Sequence, residues 1–206
     1  MEISEQWVHI DSAHLNRFPR GSCYWIPFRV ISTSKGDYLL NEFLLSHLRD
    51  ITHIAALLRP VPSQLIDYEP VSLPYLLPSK MLTEEELRSL LLRSVEEIRN
   101  RLSALSLSVR EMINILKGKS DSFRKSAERA DLRVALQLLT KKLAVEKGFS
   151  IEGRIYLAYS FVRGEILLVD TGERDRAFEI LSKRDTGIKE ALKGIFKGKD
   201  GVDRSG

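Results

Sequence analysis

Thr83-Glu84-Glu85-Glu86 constrains the fold more than any other stretch of this chain. The Thr83 hydroxyl is placed to accept from the third helical amide, and the Glu86 carboxylate to reach back to the cap amide, which makes a capping box. Acids in that first turn also sit at the positive end of the helix dipole. Beyond it, Leu91, Val95, Ile98, Leu102, Leu105, Val109, Met112 and Leu116 recur at spacings of four and three. That spacing predicts one helix from Thr83 to about Leu116 with these residues as its packing seam. Leu90, Leu92, Leu107, Ile113 and Ile115 widen the seam, so packing within a bundle is preferred to an extended two-stranded coiled coil. Ser103, Ser106 and Ser108 mark where such a helix would bend.

The segment before the helix reads differently. Tyr24–Thr33 is rich in aromatic and β-branched residues and predicts a strand, with Pro27 pointing to an edge position or a bulge. Ser34-Lys35-Gly36-Asp37 predicts a turn. Phe43, Leu44, Leu48, Ile51, Ile54 and Leu58 then follow helical spacing; Asn41 is a candidate cap, and Leu39 and Leu40 can still belong to the strand. Pro60, Pro62, Pro70, Pro74 and Pro78 forbid an uninterrupted helix across the next segment. Leu65, Ile66, Tyr68, Leu73, Tyr75, Leu76 and Leu77 predict that this connection lies against a folded surface.

After Leu116, Lys117-Gly118-Lys119-Ser120 ends one helix, and Ser120 or Asp121 caps another. Phe123, Ala127, Ala130, Val134, Leu138 and Ala144 form its expected apolar face, supported by Leu132, Leu136 and Leu139, with Gly148 as its stop. Tyr156, Leu157, Tyr159, Phe161 and Val162 suit a buried helix, or a strand pair about Arg163-Gly164; the helix is preferred for the first half of 151–168. Asp170-Thr171-Gly172-Glu173 resembles a further capping box before Ala177, Phe178, Ile180 and Leu181. A last helix carries Ile188, Leu192 and Ile195 or Phe196, and the tail from Lys197 is expected to fray. The expected fold is predominantly α: a small N-terminal α/β element over 1–60, a proline-rich connection over 61–80, a helical bundle over 81–196, and a flexible tail over 197–206.

With 206 residues, 43% hydrophobic and 29% charged, the chain suits one substantial core or two small ones and not wholesale disorder. Its acidic opening residues and the lack of an apolar run of roughly 20 residues encode neither a secretion signal nor a membrane span. The lone Cys23 excludes an internal disulfide and fits a reducing compartment, so the cytoplasm is the expected location. Beside Tyr24 and Trp25 it reads as a small packing residue. The net charge of +4 is unevenly placed: residues 1–80 hold seven Lys/Arg against eight Asp/Glu, and residues 81–206 hold 25 against 20.

No residue pattern defines a catalytic, cofactor or metal site. His9, Asp11 and His14 have ligating side chains, but no second motif completes a metal shell. His47 and His53, six residues apart on a helix, point about 240° apart. Gly118-Lys119-Ser120 ends like a phosphate loop but lacks the preceding glycine cradle. The basic residues Lys117, Lys119, Arg124, Lys125, Arg129, Arg133, Lys141, Lys142 and Lys147 are candidate contacts for nucleic acid or an acidic protein. They circle the helix instead of forming one stripe.

Three further segments complete a pattern: Lys35-Gly36-Asp37-Tyr38-Leu39-Leu40 leading into Leu44–Leu48, Arg154-Ile155-Tyr156-Leu157-Ala158, and Glu173-Arg174-Asp175-Arg176-Ala177-Phe178-Glu179-Ile180-Leu181. With the Thr83–Leu116 helix, their order over Tyr24–Leu181 resembles a subunit of the archaeal GINS replication complex whose small domain precedes its helical domain. The resemblance implies a non-enzymatic role in DNA replication. The helical domain would assemble with related subunits, and the small domain would hold partners that include the replicative helicase. The expected function is thus a non-catalytic assembly subunit without a cofactor. A direct DNA- or RNA-binding module and a small intracellular enzyme are the alternatives.

Overall fold

A computed structural model describes residues 4–8, 16–19, 22–61, 67–68, 76–80, 82–105, 108–118 and 120–200. Strand β1 (Ser4–Val8) precedes the hairpin of β2 (Cys23–Thr33) and β3 (Gly36–Asn41). Helix α1 (Glu42–His47) and a 3₁₀ segment (Ile51–Leu57) lead to the short strands β4 (Leu58–Pro60) and β5 (Asp67–Tyr68). Helices α2 (Glu84–Ala104), α3 (Val109–Leu116) and α4 (Ser120–Gln137) follow. A second hairpin, β6 (Ser150–Val162) and β7 (Glu165–Leu168), precedes α5 (Arg176–Arg184) and α6 (Thr186–Asp200). A small N-terminal sheet element followed by several helices is the architecture, with helices dominant, as expected.

The sheet itself is completed from the far end of the chain. Its order is β4-β3-β2-β6-β1-β5, and off this path β7 pairs with the last residues of β6, Tyr159–Val162. β6 pairs antiparallel with β2 from Cys23↔Ser160 to Ser32↔Ser150, and parallel with β1. The helical reading of the first half of 151–168 is therefore corrected to strand. Arg163 and Gly164, at φ of 50° and 80°, make the two-residue turn that joins β6 to β7. Burial on both faces explains the misreading, because a strand covered on both sides loses the alternation that distinguishes it from a buried helix.

β2 is central, not an edge. Pro27 is accommodated because pairing with β3 starts only at Phe28, and the irregularity in the ladder falls later, between Val30 and Ile31. On one face Ile26 and Phe28 of β2 and Ile155, Leu157, Tyr159 and Phe161 of β6 join a core with residues of α1, α2, α5 and α6. On the other, Cys23 and Trp25 pack with Tyr156, Ala158 and Val169. Cys23 is buried, as its small-packing reading expects.

The helix expected from Phe43 to Leu58 is broken. Asn41 caps α1, its Oδ1 accepting from Leu44 N at 2.9 Å, but α1 ends at His47. The buried Asp185 carboxylate then accepts from the amides of Arg49 and Asp50 at 3.1 and 2.9 Å, and from Gly187 and Ile188 at 3.0 and 3.2 Å. The two amides freed where α1 ends, those of Arg49 and Asp50, thus find a carboxylate from a distant part of the chain, and the same carboxylate caps the first turn of α6. The proline-rich connection meets the sheet where Leu77 N donates to Trp25 O at 3.0 Å, and where β5 pairs with β1. Leu65, Ile66, Leu73 and Tyr75 lie outside the described residues.

The capping box at Thr83 forms as predicted, but the helix stops at Ala104. Ser108 and Glu111 close a second capping box and start α3 as a separate helix. Asp175, not Asp170 or Thr171, caps α5. α6 continues to Asp200, so residues 197–200 are helical and not frayed; residues 201–206 lie outside the described residues.

Candidate interaction surface

The seam read from the spacing divides at the helix break. Leu91, Val95 and Ile98 are fully buried in the main core, and Leu102 and Leu105 are partly buried against it. Val109, Met112 and Leu116 are exposed, and so is Ile113. These four lie at i, i+3, i+4 and i+7, which makes one apolar stripe on α3 that nothing among the described residues covers.

α4 repeats the pattern on its own outer side. Its inward face is the buried Leu132 with Ala135 and Leu136 partly buried, and the buried Leu139 follows just past its end. Phe123, Ala127, Ala130 and Val134, expected to be the packing face, are exposed. The correction follows from the sequence having two apolar stripes on one helix: periodicity finds both, and tertiary packing chooses between them. Leu138 is partly buried and Ala144 fully, beyond α4 itself.

Lys125 orients the two stripes. Its Nζ donates to Glu111 Oε1 at 2.6 Å, so Lys125 marks the side of α4 that faces α3, and Glu111 the side of α3 that faces α4. Phe123 precedes Lys125 by two residues, and Val109 precedes Glu111 by two, a turn of about 200° in each helix. Each stripe therefore points away from the neighbouring helix, and the α3–α4 arm is apolar on both outer faces. Among the described residues nine large apolar side chains are exposed, and six of them, Val109, Met112, Ile113, Leu116, Phe123 and Val134, are on this arm. Leu116 is 87% exposed, Val109 70%, Val134 67% and Phe123 64%. Single exposed apolar residues are ordinary, but these two stripes gather most of the large apolar side chains exposed among the described residues.

The basic candidates do not converge. Lys125 is held by Glu111, and Arg129 is partly buried with Nη1 donating to Leu105 O at 3.4 Å. Lys117, Arg124, Arg133, Lys141, Lys142 and Lys147 are exposed and carry no ion pair among the described residues. Lys119 lies outside the described residues, as do His9, Asp11 and His14. Arg124 and Arg133 flank the α4 stripe on opposite sides.

Sequence reasoning missed a second cationic region. A groove of about 490 Å³ between the β6–β7 turn, α5 and α6 has Phe178, Leu192 and Phe196 in its wall. Arg174, Lys183, Lys189 and Lys193 line it as well. Arg174 pairs with Glu165 and Lys183 with Glu179, which leaves Lys189 and Lys193 without an ion pair among the described residues. Their i, i+4 spacing was the available signal.

Two further polar clusters among the described residues reach into the core. Glu42 bridges two arginines that oppose each other across the β2–β6 ladder: Arg29 Nε donates to Oε1 at 2.9 Å, and Arg154 Nε to Oε2 at 2.6 Å. Tyr159 donates to Asp175 Oδ2 at 2.6 Å and accepts from Arg59 Nη1 at 2.9 Å. Complete burial, reinforced by Asp175, pushes the Tyr159 hydroxyl well above its usual range, which keeps it protonated. His47 packs edge-on to Phe43, its pKa lowered by burial, while His53 Nδ1 lies 3.9 Å from Asp185, so the two imidazoles serve separate contacts. Among the described residues no cluster of His, Cys, Asp and Glu is arranged to hold a metal ion, and no helix is long and apolar enough to cross a membrane.

No protein-family model, curated protein or solved structure matches this chain.

Proposed function

We propose that this chain is a non-catalytic assembly subunit that docks its α3–α4 arm against other protein subunits. The observation that carries the reading is an arm with an apolar stripe on each of its outer faces, joined to a core that is otherwise well covered. Two opposed stripes suit an element inserted between neighbours, because each offers a helix-in-groove contact of its own. Burying both faces would remove from water most of the large apolar surface that the described residues leave exposed. The setting implied by the GINS resemblance is a DNA replication complex that includes the replicative helicase, in the cytoplasm, and it is the first to test.

The test is affinity purification of the full chain from extract of its native cells, beside a variant carrying Leu116→Asp and Phe123→Asp. Stoichiometric partners bound by the natural chain and lost from the variant, with helical content unchanged, are the expected result. Replication proteins among them support the replication setting. A monomer that captures nothing and turns over a substrate would sink the reading.

Direct nucleic-acid contact has one observation in its favour, the exposed Lys117, Arg124, Arg133, Lys141, Lys142 and Lys147, which carry no ion pair among the described residues. Such contact predicts affinity that falls steeply with added salt and drops when these cations are removed together. Affinity insensitive to both changes counts against it.

A further inference from the structure

The α4 stripe has a symmetry of its own. Read from either end it runs large, small, small, large: Phe123, Ala127, Ala130, Val134, all exposed. Its midpoint falls between Glu128 and Arg129. A contact between two copies about a two-fold axis must be self-complementary, each residue meeting its counterpart across the axis. We infer that α4 pairs antiparallel with α4 of a second copy of this chain, placing Phe123 against the partner's Val134 and Ala127 against the partner's Ala130. This identifies an occupant for one face of the arm and rests on the reading of that arm as a docking surface.

The central alanines allow close approach, because interaxial distance is set by the side chains at the crossing. Phe123 and Val134 then close the two ends of the contact. Charges agree with the same register. Arg124 and Asp131 lie on one flank of the stripe, about 100° and 80° around from Phe123. In an antiparallel two-fold pair like flanks meet, and Arg124 stands within two residues of the level of the partner's Asp131. Asp131 already accepts from Arg184 at 2.7 Å, in an ion pair open to solvent, and so has capacity for a second guanidinium. On the other flank Arg133 meets the level of the partner's Ser122 and Ser126, where no like charge opposes it. A parallel two-fold pair would instead set Phe123 against the partner's Phe123 and bring unlike flanks together, so that Arg124 would meet the level of the partner's Ser122 and Ser126 and lose Asp131. The α3 stripe stays free for a different subunit.

Sedimentation velocity of the full chain over a range of concentrations tests the pairing. A reversible dimer is expected, whose dissociation constant rises at least about tenfold with Phe123→Asp. Arg124→Glu weakens the dimer, and Arg124→Glu combined with Asp131→Lys restores it in part. Circular dichroism should be unchanged in each variant, since all three positions are exposed. For orientation, one copy carries Ala127→Cys and a second, mass-labelled copy carries Ala130→Cys. On oxidation the mixed pair should link faster than either copy with itself. Preferential linking of position 127 to position 127 overturns the antiparallel pairing. A chain that stays monomeric but binds another protein through Leu116 and Phe123 overturns self-pairing and leaves the assembly reading intact. A monomer that binds nothing overturns both.

Discussion

Gly187 and Asp185 show how much of this fold hangs on single residues at one junction. Asp185 caps α6 and also takes the two amides freed where α1 ends, so one carboxylate joins elements far apart in sequence. The amides of Gly187 and Ile188 are buried, and each left unpaired would cost about 1–3 kcal/mol. Gly187 lets the two segments approach: a Cβ there would collide with the carbonyl oxygen of His47 and come within 2.8 Å of Cγ of Arg49. The His47 oxygen is backbone and cannot swing aside as a flexible side chain can. Gly187→Ala should therefore destabilise the chain by about 1–3 kcal/mol, read as a lower urea midpoint at unchanged slope. Gly194 of the same helix has open space around its Cα, so Gly194→Ala is the control and should be neutral or slightly stabilising. None of this was legible in the sequence. Asp-Thr-Gly at 185–187 reads as an ordinary cap, and its second duty depends on where residues 47–50 arrive in space.

At the scale of elements, the α2–α3 break was legible and the identity of β6 was not. Ser108-x-x-Glu111 carries the same signature as Thr83-x-x-Glu86, and both boxes form. A continuous apolar seam across the break hid the second signal, because spacings of four and three persist through any short interruption. Glu111 holds the arm together at this point. The hydrogen bond from Lys125, followed by those from the Ser108 amide and hydroxyl, lowers its pKa from 4.5 to about 2. A carboxylate with a depressed folded pKa contributes stability that is present above its unfolded value and lost as pH falls through the folded one. The window here runs from about pH 4.5 down to about 2. Titration of the Glu111 side chain by NMR should give a midpoint below that of an unpaired glutamate, moving upward with added salt because the pair is open to solvent. A midpoint near 4.5 at low salt would show that Lys125 does not hold it, and the orientation of the two stripes would lose its anchor.

Across the whole molecule, stability and exposed apolar surface are segregated. β2 and β6 share the longest ladder in the sheet and carry core residues on both faces, so opening them exposes both layers of packing. The sequence predicted a local N-terminal unit because β2, β3 and α1 follow one another. The pairing of β2 with β6 joins residues separated by more than a hundred positions, and neither hydrophobic period nor turn chemistry encodes such a contact. The arm is the opposite case: α3 contributes no fully buried residue, and Val109, Met112, Ile113 and Leu116 are exposed. Local opening free energy follows the density of buried contacts, so it should be lowest in the arm and approach the global value in β2 and β6. Native-state amide exchange can read this directly. Amides of Val109–Leu116 should exchange first and those of Ile26–Val30 and Ile155–Phe161 last. If the arm docks as proposed, its amides should slow when the partner is added, while those of β6 change little. Protection that rises evenly over the chain would mean that the partner stabilises the fold without seating on the arm.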